Sequence, residues 1–381
     1  MQAHGLHFKR VVFWEPSVSP HKAPLFRAIT RARPGIELVN VAQVAMAPGR
    51  SAMGWESPPP QGYAEVIGPS AAQCAAIAGE RPGDTFHVFS GMRHVPCIVH
   101  GLQAVQAIGA RFAIMSEPRV NEGIKGWGRY LLSWTSEGNL RRSATCVFAI
   151  GRNGPSWFRS VGYPAAKVFP FAYFIDPLQP VEVAPRAPDV GIRIGYLGRL
   201  VRAKGVFDLV SAFGSFAKGE ARLELAGPFG GEETALRAAI GACAGEVALH
   251  GSLPMAQVAS FLTFIDVLVL PSITKDDGWG VVVTEALMAG VPVVATYCVG
   301  ASLVLDNPRL GTVVAPHAPD QLVAAIRRVA QADNLTRAER QWRIDWAQAH
   351  LSADAGAAYF WSVIDNRTGV AACPQPFYQQ L

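Results

Sequence analysis

The chain has 381 residues, half of them hydrophobic and 17% charged, with a net charge of +5. That length exceeds one ordinary core and suits two domains, and the composition excludes a disordered chain. No stretch reaches the roughly 18 uninterrupted apolar residues of a membrane span, and MQAHGLHFKR lacks the apolar run of a secretory signal, so a cytoplasmic protein is expected.

Short β-branched or aromatic runs recur through the first half: FKRVVFW (8–14), GIELVNVAQV (35–44), TFHVFSG (85–91), ARFAIMS (110–116), TCVFAIG (145–151) and KVFPFAY (167–173). Helical patterns fall between them near 22–32, 70–79, 96–108 and 153–161. This alternation predicts a parallel sheet covered by helices. DPLQPVEVAPRAPD (176–189) then carries four prolines in fourteen residues. Proline fixes φ and donates no backbone hydrogen bond, so the segment reads as an extended linker.

The same rhythm restarts beyond it. VGIRIGYLG (190–198), ARLELAG (221–227), EVALHG (246–251), DVLVLPS (266–272) and VPVVATY (291–297) read as buried strands. Helices are expected near 203–217, 231–243, 254–264, 281–289 and 317–331. The expected fold is α/β, two doubly wound Rossmann-like domains over 1–175 and 190–345. In such sheets ligands bind at the carboxyl ends of the strands, which points to a cleft between the two domains.

Charge and cysteine usage add partners and exclusions. Residues 1–185 hold 18 Lys+Arg against 11 Asp+Glu, and residues 186–381 hold 16 against 18. A basic first half suits an anionic partner, either a membrane surface or a phosphorylated substrate. Cys74, Cys97, Cys146, Cys243, Cys298 and Cys373 form no CxxC pair, which argues against a zinc knuckle or redox dithiol. Most of them read as small core residues.

Two segments of the second half carry chemistry. YLGRLVRAKGVFDLVSAF (196–213) leaves a strand, turns at Gly198 and enters a helix near Ala203, with Arg199 and Lys204 beside the turn. A guanidinium fork and an ammonium near a strand's carboxyl end suit a diphosphate. DDGWGVVVTEALMAGVPVVAT (276–296) places Asp277 before a glycine turn and Glu285 on a helix expected from Val281 to Gly290, a left-handed C′ residue. Gly278 and Gly280 admit close approach of a ligand, and the new helix aims free N–H groups at it. Carboxylates are good acceptors for sugar hydroxyls.

These residues resemble the retaining GT-B glycosyltransferases of family four, the glycosyl transferases group 1. The G-R-L-x-x-x-K-G pattern is matched by Gly198, Arg199, Leu200, Lys204 and Gly205. The acid, G-F-G turn, glutamate and A-x-A-x-G-x-P-V-V-A series is matched by Asp277, Gly278, Trp279, Gly280, Glu285, Ala286, Ala289, Gly290 and Pro292 to Ala295. IDVLVLPS and VGASLVL (299–305) complete the resemblance over about residues 190–330. It implies that Arg199 and Lys204 hold the donor diphosphate, Glu285 bonds the ribose and Asp277 contacts the transferred sugar. Gly198, Gly278, Trp279, Gly280, Val281 and Gly300 would line the donor. Aspartate at 277 stands where the family has glutamate, and Trp279 where it has phenylalanine. No metal and no cofactor beyond the nucleotide sugar itself are expected.

The first half is less diagnostic. WEPSVSPHKAPLFRAI (14–29) resembles the family's turn beside donor and acceptor without its paired glycines, and Ser17, Ser19, His21 and Lys22 offer donors there instead. Glu117, ending the strand in FAIMSEPRV, is the best-placed catalytic carboxylate of this half. His87 and His94 suit structural roles, while Gly151, Asn153 and Gly154 form a strand-to-helix turn whose amides are candidates to face the cleft. Residues 122–144 interleave Ile124, Trp127, Tyr130, Leu131 and Trp134 with Lys125, Arg129, Arg141 and Arg142. That pattern suits a helix in a membrane interface near a lipid-linked acceptor, or an amphipathic core helix with a basic edge. No nucleic-acid motif accompanies it.

The tail, 346–381, is expected to be a helix crossing back to the first domain, anchored by Tyr359, Phe360 and Trp361. The expected activity is transfer of a sugar from a nucleotide diphosphate sugar to an acceptor hydroxyl, in surface polysaccharide or glycolipid synthesis. An epimerase on the same scaffold and a catalytically silent nucleotide-sugar binder remain as alternatives. A Rossmann dehydrogenase lacks its G-x-G-x-x-G after the first strand.

Overall fold

A computed structural model describes residues 8–46, 56, 59–120, 122–178, 191–275 and 277–379. Most of the proline-rich segment and Asp276 lie outside the described residues. The chain divides into two compact units, one of residues 1–176 with 350–381, the other of residues 177–349.

The first unit holds β1 (Arg10–Ser17), β2 (Glu37–Val44), β3 (Ala64–Ile67), β4 (Thr85–Phe89), β5 (Arg111–Ser116), β6 (Cys146–Ile150) and β7 (Val168–Phe171). They form one sheet in the order β3-β2-β1-β4-β5-β6-β7, every pair parallel. Val11, Val12, Phe13 and Trp14 are all fully buried, which is why β1 reads as an unbroken apolar run rather than an alternating one. The Trp14 ring lies so close to Gly101 that a Cβ there would sit 2.6 Å from it.

The second unit holds β8 (Ile192–Leu197), β9 (Ala221–Ala226), β10 (Glu246–Gly251), β11 (Val267–Leu270), β12 (Val293–Thr296) and β13 (Gly311–Val314). Their order is β10-β9-β8-β11-β12-β13, again all parallel. The strand order therefore reverses between β1 and β4 in one unit and between β8 and β11 in the other. Crevices at these switch points, beyond the strands' carboxyl ends, are where doubly wound sheets take ligands.

Sequence patterning did not reveal β3 and β13. Each has four residues and lies at a sheet edge, where half-exposed side chains leave no apolar run to detect. The tail is two helices rather than one. Arg337–Leu351 ends at Ser352, which bridges to Ile175 and whose hydroxyl accepts from Ala355 N at 3.2 Å to open the helix Ala353–Arg367. That second helix packs on Ala23–Ala32 in the first unit. Tyr359, Phe360 and Trp361 are buried there. Phe360 stacks on Phe148 at 5.2 Å, and Trp361 Nε1 donates to Ile29 O at 3.3 Å.

Candidate functional site

In the second unit β8 delivers the chain to Gly198 and Arg199, and a single 3₁₀ turn, Arg202–Lys204, follows. Gly205 closes that turn at φ +70°, and a Cβ on it would sit 1.8 Å from Pro271 O. Only glycine lets the turn lie against the segment after β11. The outcome is that Lys204 Nζ stands 3.2 Å from Asp277 Oδ1, although 73 positions separate the two residues. Both side chains are largely buried. An ammonium carries three donors, so pairing with one carboxylate oxygen fixes its position without using its capacity.

Asp277 is itself held. Ser272 Oγ donates to its Oδ2 at 2.9 Å, and Thr296 Oγ1, at the end of β12, donates to Ser272 O. Tyr196 OH donates to Arg199 O at 2.6 Å and pins the turn after β8. Burial, and secondarily the Asp277 charge, push that phenol far above its ordinary value, so it stays a donor. Sequence reasoning missed Ser272, Thr296 and Tyr196. Ser272 lies just beyond the carboxyl end of its strand and Thr296 closes its own, which was the available signal.

The glycine loop departs in detail from what the sequence suggests. The helix opens at Gly280 and runs Val281–Met288, with Gly290 left-handed at φ +75° just beyond it. Trp279 is buried, its indole N–H donating to Thr284 Oγ1 at 3.0 Å, so its ring belongs to the core rather than to an open wall. Gly300–Asp306 form a 3₁₀ helix. The Gly300 amide is committed to Asp277 O at 3.1 Å, and Ala301 N to Trp279 O at 2.7 Å. Gly300 thus contributes close approach, not a free donor: a Cβ on it would lie 1.8 Å from Gly278 O.

Gly278 and Val281 are half-buried beside this pair, and Arg199 is exposed. Glu285 keeps some surface exposure yet is densely surrounded by protein, and that desolvation raises its carboxyl to about 7.

The first unit has a cavity of about 230 Å³ at the carboxyl ends of β1 and β4 to β7. Ser17, Ser19, His21, Lys22, Ser116 and Glu117 are among its lining residues. Lys22 is not the open donor expected of it. Its ammonium is buried and bonded to both oxygens of Glu15, at 2.8 and 2.7 Å, and to Ser90 Oγ. Glu117 is half-buried, and Tyr173 OH donates to its Oε1 at 2.8 Å. His87 accepts from Trp14 Nε1 at 3.3 Å, and burial lowers it to about 3, which keeps it neutral and structural. His94 is exposed. The turn amides are also engaged, Gly151 N with Phe171 O and Gly154 N with Gly151 O.

Residues 191–332 match the family described as Glycosyl transferases group 1. The group 1 segment includes every residue of the Lys204–Asp277 site and leaves the first unit unmatched. The chain is 28% identical over 178 residues to 2-deoxystreptamine glucosyltransferase from Streptomyces kanamyceticus, across 45% of this chain and 46% of that protein. It thus spans less than half the length of this curated relative. Two solved structures share the fold over 94% of the chain and 99% of their own. One is the Anabaena protein HepE in complex with UDP and glucose, at TM-score 0.68 and 14% identity. The other is the apo lipopolysaccharide outer core galactosyltransferase WaaB, at TM-score 0.68 and 17% identity. The two parallel sheets with flanking helices are those of the GT-B fold.

Proposed function

We propose that the protein is a retaining glycosyltransferase that moves a sugar from a nucleotide diphosphate sugar to an acceptor hydroxyl, in polysaccharide or glycolipid synthesis at the cytoplasmic face of a membrane. The observation that carries this reading is the Lys204–Asp277 pair at the switch point of the second sheet, inside the group 1 segment. Lys204 and Arg199 bind the diphosphate. Asp277 orients the ammonium and accepts from hydroxyls of the transferred sugar. Glu285 accepts from the ribose. The acceptor oxygen bonds to the anomeric carbon as the carbon–oxygen bond to phosphate breaks, the electron pair leaving with the phosphate. The acceptor's proton passes to a phosphate oxygen on the same face. Fixed charge aimed at the leaving group is commonly the largest catalytic contribution, and two side-chain cations supply it here without a metal. Glu117 and the cavity around it are the acceptor side, and residues 122–144 contact the membrane.

A thermal-shift screen of nucleotide sugars, followed by transfer assays on the hits with the product anomer read by NMR, tests this reading. One donor should stabilise the protein and be turned over equally with and without EDTA. Loss of turnover in EDTA with recovery in manganese contradicts the metal-free assignment. An epimer formed from donor alone, or binding without any turnover, replaces the transferase reading.

Glu285 makes affinity depend on pH. Its carboxyl sits near 7 in the fold against an ordinary 4.5, so the folded chain binds the extra proton between those values. Stability from this group is therefore greatest at acid pH and falls as pH rises through about 7. Ribose recognition needs the ionised form. Nucleotide affinity is expected to rise about tenfold from pH 6 to pH 8, as the competent fraction grows. Glu285→Gln, titrated calorimetrically in the same buffers, should remove that difference and leave only the ligand's own titration.

A further inference from the structure

Five of the exposed large hydrophobic side chains sit on one helix, Gly123–Ser136. They are Ile124, at 92% exposure, Trp127, Leu131, Leu132 and Trp134. At 100° per residue, Ile124, Trp127, Leu131 and Trp134 fall within about 80° of arc, with Leu132 about 80° to one side. Gly126, Tyr130, Ser133 and Glu137 fall within about 60° of arc of their own, which begins about 40° beyond Trp134. Gly126 and Ser133 are buried, and Tyr130 OH donates to Ser160 O at 3.0 Å while its ring meets Trp157 edge-on. The helix therefore rests on the body through small residues and one inward tyrosine, and turns its apolar ridge outward. Apolar ridges of this size on a surface mark a partner.

Charge identifies the partner. No acidic side chain occurs between Gly123 and Ser136, and the exposed Lys125 and Arg129 lie about 20° and 60° beyond Leu132, on the side away from Trp134. Arg93 and Arg119 approach the end of the same helix, at 3.0 and 3.5 Å from the single buried carboxylate of Glu137. Arg141 is excluded from this group, since its guanidinium is committed to the carbonyls of Trp134 and Val161. Arg93 and Arg119 are likewise committed to Glu137, which leaves the exposed Lys125 and Arg129 as the cations of the helix edge.

We infer that the helix Gly123–Ser136 docks into an anionic lipid bilayer, its Ile124–Trp127–Leu131–Trp134 ridge among the acyl chains and Lys125 and Arg129 against headgroup phosphates. This rests on, and specifies, the membrane-facing reading of residues 122–144. An apolar face with a cationic margin is what holds a helix in the plane of an interface, and anionic lipid adds attraction that salt weakens.

Flotation of the full chain with phosphatidylcholine vesicles, with and without phosphatidylglycerol, tests it. Partitioning should be at least about tenfold stronger onto the anionic vesicles and should fall with added salt. The double variant Trp127→Ser, Trp134→Ser should lose at least about tenfold in partitioning. Lys125→Glu with Arg129→Glu should lose the preference for anionic lipid. All four side chains are exposed, so both variants should keep the wild-type melting temperature. Equal or negligible binding to both vesicle types overturns the inference. So does a wild-type dimer in light scattering that becomes monomeric in the tryptophan variant, which would make the ridge a contact between copies. Donor-induced thermal shift, measured on the same samples, reports the nucleotide-sugar site separately, so failure of one reading is distinguishable from failure of the other.

Discussion

Lys204→Ala is expected to lower sugar transfer by about a hundredfold to a thousandfold, the loss typical of removing one fixed donor aimed at developing charge. The ammonium is brought to the carboxyl end of β8 by the 3₁₀ turn Arg202–Lys204, and Asp277 fixes it at 3.2 Å. Arg199 is exposed and differently anchored, its carbonyl rather than its guanidinium being held by Tyr196. Stability should fall by about 1–2 kcal/mol, because the pair is largely buried and the substitution leaves the Asp277 carboxylate without its cation. Steady-state kinetics beside a thermal melt separates the two. A small melting shift with a large fall in kcat supports the assignment. Unchanged kcat removes Lys204 from the chemistry.

Gly300→Ala should be among the most damaging single methyls in the second unit. Its Cβ would stand 1.8 Å from Gly278 O, a backbone atom that cannot rotate away. Relief requires the acid loop and the 3₁₀ helix Gly300–Asp306 to separate, which breaks the bonds from Gly300 N to Asp277 O and from Ala301 N to Trp279 O. A cost of about 3 kcal/mol is reasonable for an overpacked site that also loses hydrogen bonds. In a unit of this size that lowers the melting temperature by about 6–12 °C. Asp277 would move with the loop, so donor binding should fail before the fold does. Gly241→Ala is the control. Gly241 ends the helix Glu233–Gly241 with open space where a Cβ would go, and its melt should match wild type or rise slightly. Equal melts for the two variants would show that the loop adapts freely.

Much of this architecture is legible in the sequence. Buried parallel strands announce themselves as contiguous apolar runs, as at Val267–Leu270, because both faces are covered. Gly290 marked its helix end through a backbone demand that is local and therefore visible. Contacts between distant positions were not visible. Lys22 and Glu15 lie seven residues apart, yet only the turn between strand and helix shows that the lysine is spent on that acid. Trp279 occupies an aromatic position beside an expected ligand, but a buried threonine five residues on draws its indole inward. Arg141 looked like one more surface cation until the carbonyls it satisfies were in view. In each case residue type was informative and the partner was not, since tertiary packing chooses the partner.

The helix Ala353–Arg367 has a consequence for how the molecule is made. Its aromatic side chains complete a core whose strands are built from residues 10 to 171, so that unit lacks part of its interior until residues 353–367 have left the ribosome. Maturation of the amino-terminal half is thereby coupled to completion of the carboxyl-terminal one, and a chain arrested after residue 349 would display Phe13, Phe148 and Phe171 without the rings that cover them.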